Sequence, residues 1–388
     1  MLTIELLENE SIRKFFQIED INNIPNETMG LISLLEECNY NDKEDIVTYG
    51  ADPDDGMYII IKGEAIVYSK EEKVINFLHE GAFVGELALM SGKKRSATVR
   101  ASGELKAVRL SRKMFDEKIK SDTKYVSAFM EILYANLTDV ISKQQKVKAE
   151  LDVATKIQVS VLPRNFEDFN VEVYASMKPA REVGGDFYDI FNIDENRIGF
   201  VIADVSGKGI SAALFMVMAK NIIKNYSKLN VPVNEVLERA NDELCSENEA
   251  EMFVTVFMGI LDLTSLEFTF VNAGHNAPIL YNSELGAFEY MNVMPGFVVA
   301  GIEGIKYKPE KVKLKKGSIV YMYTDGVTEA QNPNDELFSD ERLLNLFNNK
   351  NYKDMPVKEI LENIDKEIVE FADGNTQSDD ITMLGFRV

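Results

Sequence analysis

Four aspartate-bearing motifs in the second half of the sequence contain residues that could do chemistry. They are Val183-Gly-Gly-Asp186-Phe-Tyr-Asp, Ala-Asp204-Val-Ser-Gly-Lys-Gly, Tyr-Thr-Asp325-Gly and Gln-Ser-Asp379-Asp-Ile-Thr. Each motif places its aspartate at a predicted strand end or beside a glycine turn, so the carboxylates can converge. Because carboxylates that share one site repel each other, such a site needs a cation.

The donor set predicts Mg²⁺ or Mn²⁺. The candidate ligands are hard oxygen donors, and the chain has only 2 His and 2 Cys, which excludes a typical zinc cluster. Two ions about 3.5–4 Å apart can share a water, lower its pKa and neutralise a phosphoryl group. No nucleophilic triad and no Gly-Lys-Ser/Thr phosphate loop stands out. We therefore expect a phosphate ester to be hydrolysed by metal-activated water.

A second set of candidate binding residues lies near position 90. Glu86 and Arg95 are nine positions apart, and Gly85 and Gly92 allow the backbone to approach a ligand closely. A short helix beginning near Glu86 would direct N–H groups at an anion, and an arginine can hold a phosphate through paired hydrogen bonds. A glutamate can accept a hydrogen bond from a ribose hydroxyl. The pattern predicts a ribose-phosphate pocket.

Different elements must position these two sets. Short apolar runs punctuated by glycine between 57 and 100 predict a small β-barrel, with flanking helices at 11–16 and 29–37. From 171 onward, strand-like runs alternate with helical ones. That order predicts an α+β layered sandwich, with two central sheets flanked by helices.

Between the two lies a stretch from 121 to 161 without glycine or proline, which predicts one long helix. Its apolar and glutamine residues recur every three or four positions, as in a coiled coil. The predicted seam comprises Leu133, Leu137, Val140, Gln144, Val147, Leu151, Ala154, Gln158 and Val161. Two glutamines weaken the seam, so we expect an adjustable dimer helix; a helix buried against its own domain is the alternative.

The segment from Gly85-Glu-Leu-Ala-Leu to Arg95-Ser-Ala-Thr resembles the cyclic-nucleotide-binding domain of cAMP-dependent kinases and bacterial catabolite activators. The resemblance implies a jelly-roll barrel in which Glu86 binds the ribose 2′-hydroxyl and Arg95 the cyclic phosphate. It implies that the pocket is completed by Gly85, Leu87, Ala88, Ser96 and Ala97. The ligand that the resemblance implies is cAMP or cGMP, with cAMP modestly favoured; a barrel that has lost its ligand is the alternative.

The four aspartate motifs, the entry Leu-Asp-Val-Ala-Thr-Lys-Ile-Gln-Val-Ser-Val-Leu-Pro and the motif Asn-Ala-Gly-His-Asn-Ala-Pro resemble metal-dependent (PPM-type) serine/threonine phosphatases of the bacterial sporulation stage II E and stress-response branch. The resemblance implies that Asp204 bridges two ions and that the Val205 carbonyl is a further ligand. It implies that Asp325 and Asp379 bind one ion directly, while Asp186 acts through bound waters. Lys208 departs from relatives that carry histidine there.

Composition limits the partners. The net charge of −22 argues against binding to nucleic acid or an anionic membrane, and no apolar run approaches the roughly 18–20 residues of a membrane span. The acidic N-terminus lacks the features of a secretion signal. We expect a cytoplasmic protein and a homodimer formed through the helical linker.

These observations predict three domains: a cyclic-nucleotide-binding regulatory domain at 1–122, a helical coiled-coil linker at 123–162 and a PPM-type phosphatase domain at 163–388. The predicted function is a cyclic-nucleotide-regulated, metal-dependent serine/threonine phosphatase with catalytic residues Asp186, Asp204, Asp325 and Asp379. The resemblance implies a phosphoprotein substrate, a small anti-sigma-factor antagonist. The alternative is a non-catalytic, nucleotide-gated dimerisation module with an inactive phosphatase domain.

Overall fold

The computed structural model describes residues 6–283 and 285–388, without the side chains of Asn136, Leu137 and Asp139. The chain divides into two compact units, Met1–Gln145 and Lys146–Val388. The boundary falls inside the segment that the sequence predicts as a linker. Each unit is described by itself below.

The N-terminal unit is rich in β-structure, as predicted. Its helices are α1 (Glu10–Phe16), α2 (Asn26–Ile32), α3 (Glu86–Ser91) and α4 (Arg112–Met114), the last followed by a π-helical turn at Phe115–Ile119. Its strands are β1 (Glu36–Tyr40), β2 (Asp45–Val47), β3 (Met57–Tyr68), β4 (Val74–Leu78), β5 (Phe83–Val84) and β6 (Thr98–Leu110). The sheet order is β1-β6-β3-β4, with β2 paired to β6 and β5 to β3. Closure into a jelly-roll barrel stays a prediction.

Aromatic side chains pack together in the core of this unit. Phe15 of α1 contacts Phe129 edge to face, with ring centroids 5.7 Å apart, and Phe83 of β5 lies 6.0 Å from both rings. Phe15 and Phe129 are fully buried. Such pairs contribute about 0.5–1.5 kcal/mol beyond the area that they bury. The α1 helix and the residues around Phe129 are thereby fixed against the short strand that leads into α3.

Helix α5 (Thr123–Ser160) is 38 residues long, so the prediction of one long helix is confirmed. Val140 and Val147 of the predicted seam, which lie on one apolar face of the helix, are 44% and 55% exposed among the described residues. The side chain of Leu137 lies outside the described residues, and Val161 follows the end of the helix. That a second chain covers this face stays a prediction.

The C-terminal unit is built from two five-stranded antiparallel sheets and helices. The first sheet has the order β14-β11-β10-β9-β8 and the second β13-β12-β15-β16-β7. The strands are β7 (Glu172–Lys178), β8 (Phe187–Asn192), β9 (Arg197–Val205), β10 (Val254–Asp262), β11 (Glu267–Ala273), β12 (Ile279–Asn282), β13 (Ala287–Tyr290), β14 (Glu310–Lys313), β15 (Ile319–Tyr323) and β16 (Ile381–Arg387). The helices are α6 (Ile210–Ser227), α7 (Val233–Ser246), α8 (Ser339–Asn349) and α9 (Val357–Ala372).

The two sheets pack face to face through apolar side chains. Phe200 of β9 stacks on Phe386 of β16, with ring centroids 4.2 Å apart, and both rings are fully buried. Helices α6 and α7 pack on the first sheet, and α9 buries Ile360 and Ile364 beside the second. The predicted sheet-and-helix domain is confirmed. Within the described part of the chain, no helix is long and apolar enough to cross a bilayer.

Candidate active site and candidate nucleotide site

The four predicted catalytic aspartates lie at corresponding ends of neighbouring strands. Asp186 directly precedes β8, and Asp204 is the penultimate residue of β9; Phe187 pairs with Ala203 across these antiparallel strands. In the other sheet, Asp325 opens a 3₁₀ turn just after β15, and Asp379 comes two residues before β16. Because β15 and β16 are antiparallel partners, these two carboxylates also share an edge.

Asp186 is the most deeply buried of the four. It is 1% exposed, and Thr324 Oγ1 donates a hydrogen bond to its Oδ2 at 2.7 Å. Burial raises the pKa of Asp186 well above its ordinary value, and the charges of Asp204 and Asp380 add to the effect. The charged form of the Asp186 carboxylate is therefore unfavourable at this position unless a cation compensates it.

Asp204 and Asp325 are subject to the same effects. Burial, then repulsion from Asp325, raises the pKa of Asp204 from 3.8 to about 7. Burial, then repulsion from Glu329 and Asp379, raises the pKa of Asp325, while Lys208 acts in the opposite direction. These mutual effects show that the carboxylates share one electrostatic environment.

Lys208 pairs with the fourth aspartate. Its Nζ lies 2.7 Å from Asp379 Oδ2 and donates to the Ser378 carbonyl, also at 2.7 Å. The ammonium group follows Asp204 by four residues, in the turn between β9 and α6. It thus provides a positive charge at the side of the cluster formed by Asp379.

Asp380, the neighbour of Asp379, is occupied by backbone hydrogen bonds. Its Oδ1 accepts from Ala180 N at 2.7 Å, and its Oδ2 accepts from Gly185 N at 2.6 Å. It is 8% exposed. Asp380 therefore anchors the segment that carries Asp186.

The donor set fits one or more hard divalent cations in chemistry. Oxygen ligands of high net negative charge, with pKa values raised by burial and mutual repulsion, are what Mg²⁺ or Mn²⁺ would stabilise. The Val205 carbonyl lies beside them: a Cβ added to Gly185 would stand 3.0 Å from it, so glycine leaves that approach open. Among residues 6–283 and 285–388, no three His, Cys, Asp or Glu side chains form a ready metal-binding group as they lie.

The N-terminal unit holds the second candidate site around Arg95, which is 3% exposed. Its Nη1 donates to the Gly85 carbonyl at 2.6 Å, and its Nη2 donates to Asp55 Oδ1 and the Gly56 carbonyl, each at 2.5 Å. A Cβ on Gly85 would lie 2.0 Å from Arg95 Nη1, and Gly85 has φ +80°. Only glycine therefore lets the guanidinium lie against this turn.

The other predicted nucleotide contacts surround this turn. Glu86 is the first residue of α3, and burial raises the pKa of its carboxyl group. Leu87 is 57% exposed, whereas Ala88 is buried in the domain. Ser96 is exposed and Ala97 is half-buried. Arg100 pairs instead with Asp45, at 2.6 Å.

Comparison with known families assigns both units. Residues 194–388 match the family described as stage II sporulation protein E, which is half of the chain. The chain belongs to the stage II sporulation protein E family. Residues 37–122 match the cyclic nucleotide-binding domain family. The stage II sporulation protein E match covers Asp204, Asp325 and Asp379, and the nucleotide-binding match covers Glu86 and Arg95.

Individual relatives agree with this assignment. The chain is 30% identical over 267 residues to Protein IcfG of Synechocystis sp., covering 61% of this chain and 41% of that protein. It is 31% identical over 192 residues to Phosphoserine phosphatase RsbU of Bacillus subtilis, covering 49% and 57%. The chain therefore spans about half the length of these curated relatives. The SiaA-PP2C domain of Pseudomonas aeruginosa shares the fold of the C-terminal unit, with a TM-score of 0.55 at 22% identity over 63% of this chain and 98% of that domain.

Three residues that contact the candidate sites were not predicted from the sequence. Thr324 directly precedes Asp325. The signal that the sequence offered was a hydroxyl residue next to the aspartate of a predicted ligand motif. Asp55 lies in the turn Asp-Asp-Gly before β3, forty positions from Arg95, and no local pattern links the two. Gln158 has the spacing of the helix seam but is buried against the backbone of Gly184. Spacing along a helix cannot identify which neighbour covers a residue.

Proposed function

We propose that this chain is a metal-dependent serine/threonine protein phosphatase whose activity is controlled by a cyclic nucleotide. The observation that carries the proposal is the gathering of Asp186, Asp204, Asp325 and Asp379 at one edge of two packed sheets. Burial and repulsion raise the pKa values of the first three, so the site favours bound cations. Membership of the stage II sporulation protein E family, and similarity to a protein named as a phosphoserine phosphatase, support the same activity.

The chain's own residues would divide the work at this site. Asp204, with the Val205 carbonyl, would lie between two Mn²⁺ or Mg²⁺ ions; Asp325 and Asp379 would bind one ion, and Asp186 would orient waters. When bound, such ions lower the pKa of a water and offset the charge of a phosphoryl group. Thr324 holds the Asp186 carboxylate in place through its 2.7 Å hydrogen bond.

The proposed regulatory ligand is cAMP or cGMP. Arg95 would take the cyclic phosphate and Glu86 the ribose hydroxyl, with Ser96 available to either the phosphate or a guanine base. Since Asp55 and two carbonyls already accept from Arg95, a phosphate would have to share or displace these partners. Nucleotide binding would thereby rearrange the turn around Gly85.

The proposed route from nucleotide to catalysis is helix α5. Its exposed apolar positions Val140 and Val147 support a homodimer in which two copies of this face pack together. Nucleotide binding would alter the packing of that seam and bias assembly of the metal site. The proposed substrate is a phosphoserine or phosphothreonine on a small anti-sigma-factor antagonist, which rests on the family resemblance.

The deciding experiment is turnover of a generic phosphate ester with Mn²⁺, with and without cAMP or cGMP. Wild type would be compared with Asp325→Asn and with Arg95→Lys. We expect manganese-dependent activity that Asp325→Asn abolishes. We expect Arg95→Lys to keep that activity and to respond to nucleotide only at concentrations about 10–100-fold higher than the wild type needs. Activity that is unchanged by saturating nucleotide, across metal concentrations, would refute the regulatory half.

One observation favours a second candidate function, a nucleotide-gated dimerisation module with an inactive phosphatase domain. Lys208 neutralises Asp379 internally, as a permanent substitute for a metal ion would. Calorimetry with Mn²⁺ separates the two functions. No binding by the wild-type chain at millimolar Mn²⁺ would establish the inactive module, whereas binding that Asp325→Asn weakens would exclude it.

A further inference from the structure

The last turns of helix α5 contain a glutamine with an unusual set of contacts. Gln158, two residues before the helix ends, is 4% exposed. Its Nε2 donates to the Gly184 carbonyl at 2.5 Å, and its Oε1 accepts from Gly184 N at 3.1 Å. The carboxamide of Gln158 therefore bonds both the N–H and the carbonyl of Gly184. Only a side chain that can both donate and accept a hydrogen bond can do this.

A second contact lies one helical turn earlier. Thr155 Oγ1 donates to the Glu182 carbonyl as well as to the Leu151 carbonyl within the helix. Residues three apart lie on the same helix face, so Thr155 and Gln158 form a pair that faces the 182–184 segment. The helix end is thus attached to this segment at two points.

The opposite side of the segment is held by the C-terminal strand region. Asp380 Oδ2 accepts from Gly185 N at 2.6 Å and from Asp186 N at 3.4 Å. A Cβ on Gly184 would stand 2.5 Å from Asp380 Oδ2, which shows how closely the backbone approaches that carboxylate. The peptide that leads into Asp186 is therefore clamped between Gln158 and Asp380.

We propose that Gln158 is a positioning residue that sets the location of Asp186. The Asp186 side chain is two residues from the Gly184 peptide, and both hydrogen bonds to that peptide come from one group on α5. A shift or rotation of the helix end would break both bonds and leave buried polar groups without partners, so intermediate positions are disfavoured. This deepens the proposed function, on which it rests, by naming the contact through which α5 acts on the metal site.

The test compares Gln158→Met with Gln145→Met in the full-length chain. Methionine keeps the size and flexibility of glutamine but removes both hydrogen bonds, and Gln145 is an exposed residue of the same helix. Hydrogen exchange of the Gly184–Asp186 amides is measured in chelator, and Mn²⁺ affinity is measured by calorimetry. Ester hydrolysis is followed as a function of Mn²⁺ concentration.

We expect Gln158→Met to speed exchange of the Gly184 amide by about fivefold or more. We expect Mn²⁺ affinity to fall by about 10–100-fold, as for other residues that orient metal ligands. Activity should recover at saturating Mn²⁺, which a generally unfolded variant would not allow. Gln145→Met should match the wild type in all three measurements.

Unchanged exchange at Gly184, or faster exchange with wild-type Mn²⁺ affinity, would overturn the assignment of Gln158. Failure of the proposed function has a different signature. A wild-type chain that binds no Mn²⁺ would refute the phosphatase, while faster exchange at both Gly184 and Asp186 in Gln158→Met would still support the positioning role.

Discussion

The Nζ of Lys208 lies 2.7 Å from Asp379 Oδ2, inside a cluster of carboxylates that a divalent cation would occupy. The two side chains are 40% and 32% exposed, so solvent screens the pair. Screened ion pairs contribute about 0–1 kcal/mol. A metal ion at the proposed site would therefore compete with Lys208 for Asp379, and the ion pair would oppose metal binding by about 0–1 kcal/mol.

Replacing Lys208 by methionine should tighten Mn²⁺ binding by up to about fivefold, because Mn²⁺ would then bind Asp379 without displacing the lysine ammonium group. Calorimetry in the absence of substrate measures this directly. Lys228→Met, an exposed lysine directly after α6, is the matched control and should leave the affinity unchanged. Weaker Mn²⁺ binding by Lys208→Met would show that the lysine supports the metal site.

The stability of the metal-free protein should depend on the protonation of Asp204. Its pKa is raised from 3.8 to about 7, chiefly by burial. Between about pH 4 and pH 7, Asp204 is therefore protonated in the folded state and ionised in the unfolded state. Stability from this group therefore rises as pH falls from 8 to 5. The size is on the order of 2–3 kcal/mol.

The measurement is urea denaturation in chelator at pH 8 and pH 5, comparing wild type with Asp204→Asn. His275 works in the opposite direction, because burial lowers its pKa to about 4 and its protonation opposes folding. The wild-type slope alone is therefore ambiguous, but the difference between the two proteins removes the contribution of His275 and reports Asp204 together with the carboxylates whose pKa values it raises. Equal pH dependence in both would contradict the prediction.

Cyclic-nucleotide binding should depend on Arg95 and not on Arg100. Arg95→Lys keeps a positive charge but loses the planar, paired donors, and should weaken cAMP or cGMP binding by about 10–100-fold. Lysine is preferred to alanine here because Asp55 and two carbonyls need a donor. Calorimetry with each nucleotide is the measurement. Arg100→Lys, whose parent residue pairs with Asp45, should bind normally; equal losses in both variants would disprove the assigned pocket.

Local patterns predicted much of the fold and of the site. The alternation of strand-like and helical runs from 171 onward predicted the layered C-terminal unit. Such runs are local signals: α9, for example, has an apolar helical period and follows Pro356. The strands β8, β12 and β13 were not predicted, since short segments carry little periodicity. Likewise the order of strands depends on contacts between distant residues, such as Phe200 with Phe386.

The same limit applies to side-chain roles. The four aspartates were found because each stands in a short motif with glycine or a strand end. The role of Gln158 was not found, because its partner Gly184 is 26 positions away and the helix seam offered an adequate explanation. Asp55 and Arg95 are 40 positions apart and meet only in the folded sheet.

The adjacent residues Asp379 and Asp380 should respond differently to the same substitution. Asp380 accepts two strong backbone hydrogen bonds, one on each oxygen, and an asparagine offers only one acceptor. Asp380→Asn should therefore lower the unfolding free energy of the metal-free protein by about 1–3 kcal/mol. Asp379→Asn should change that free energy by less than about 1 kcal/mol, because its partner is the half-exposed Lys208, but should weaken Mn²⁺ binding strongly. Urea denaturation in chelator and Mn²⁺ calorimetry on both variants distinguish these roles. An Asp380→Asn protein of normal stability that no longer binds Mn²⁺ would assign the metal to Asp380.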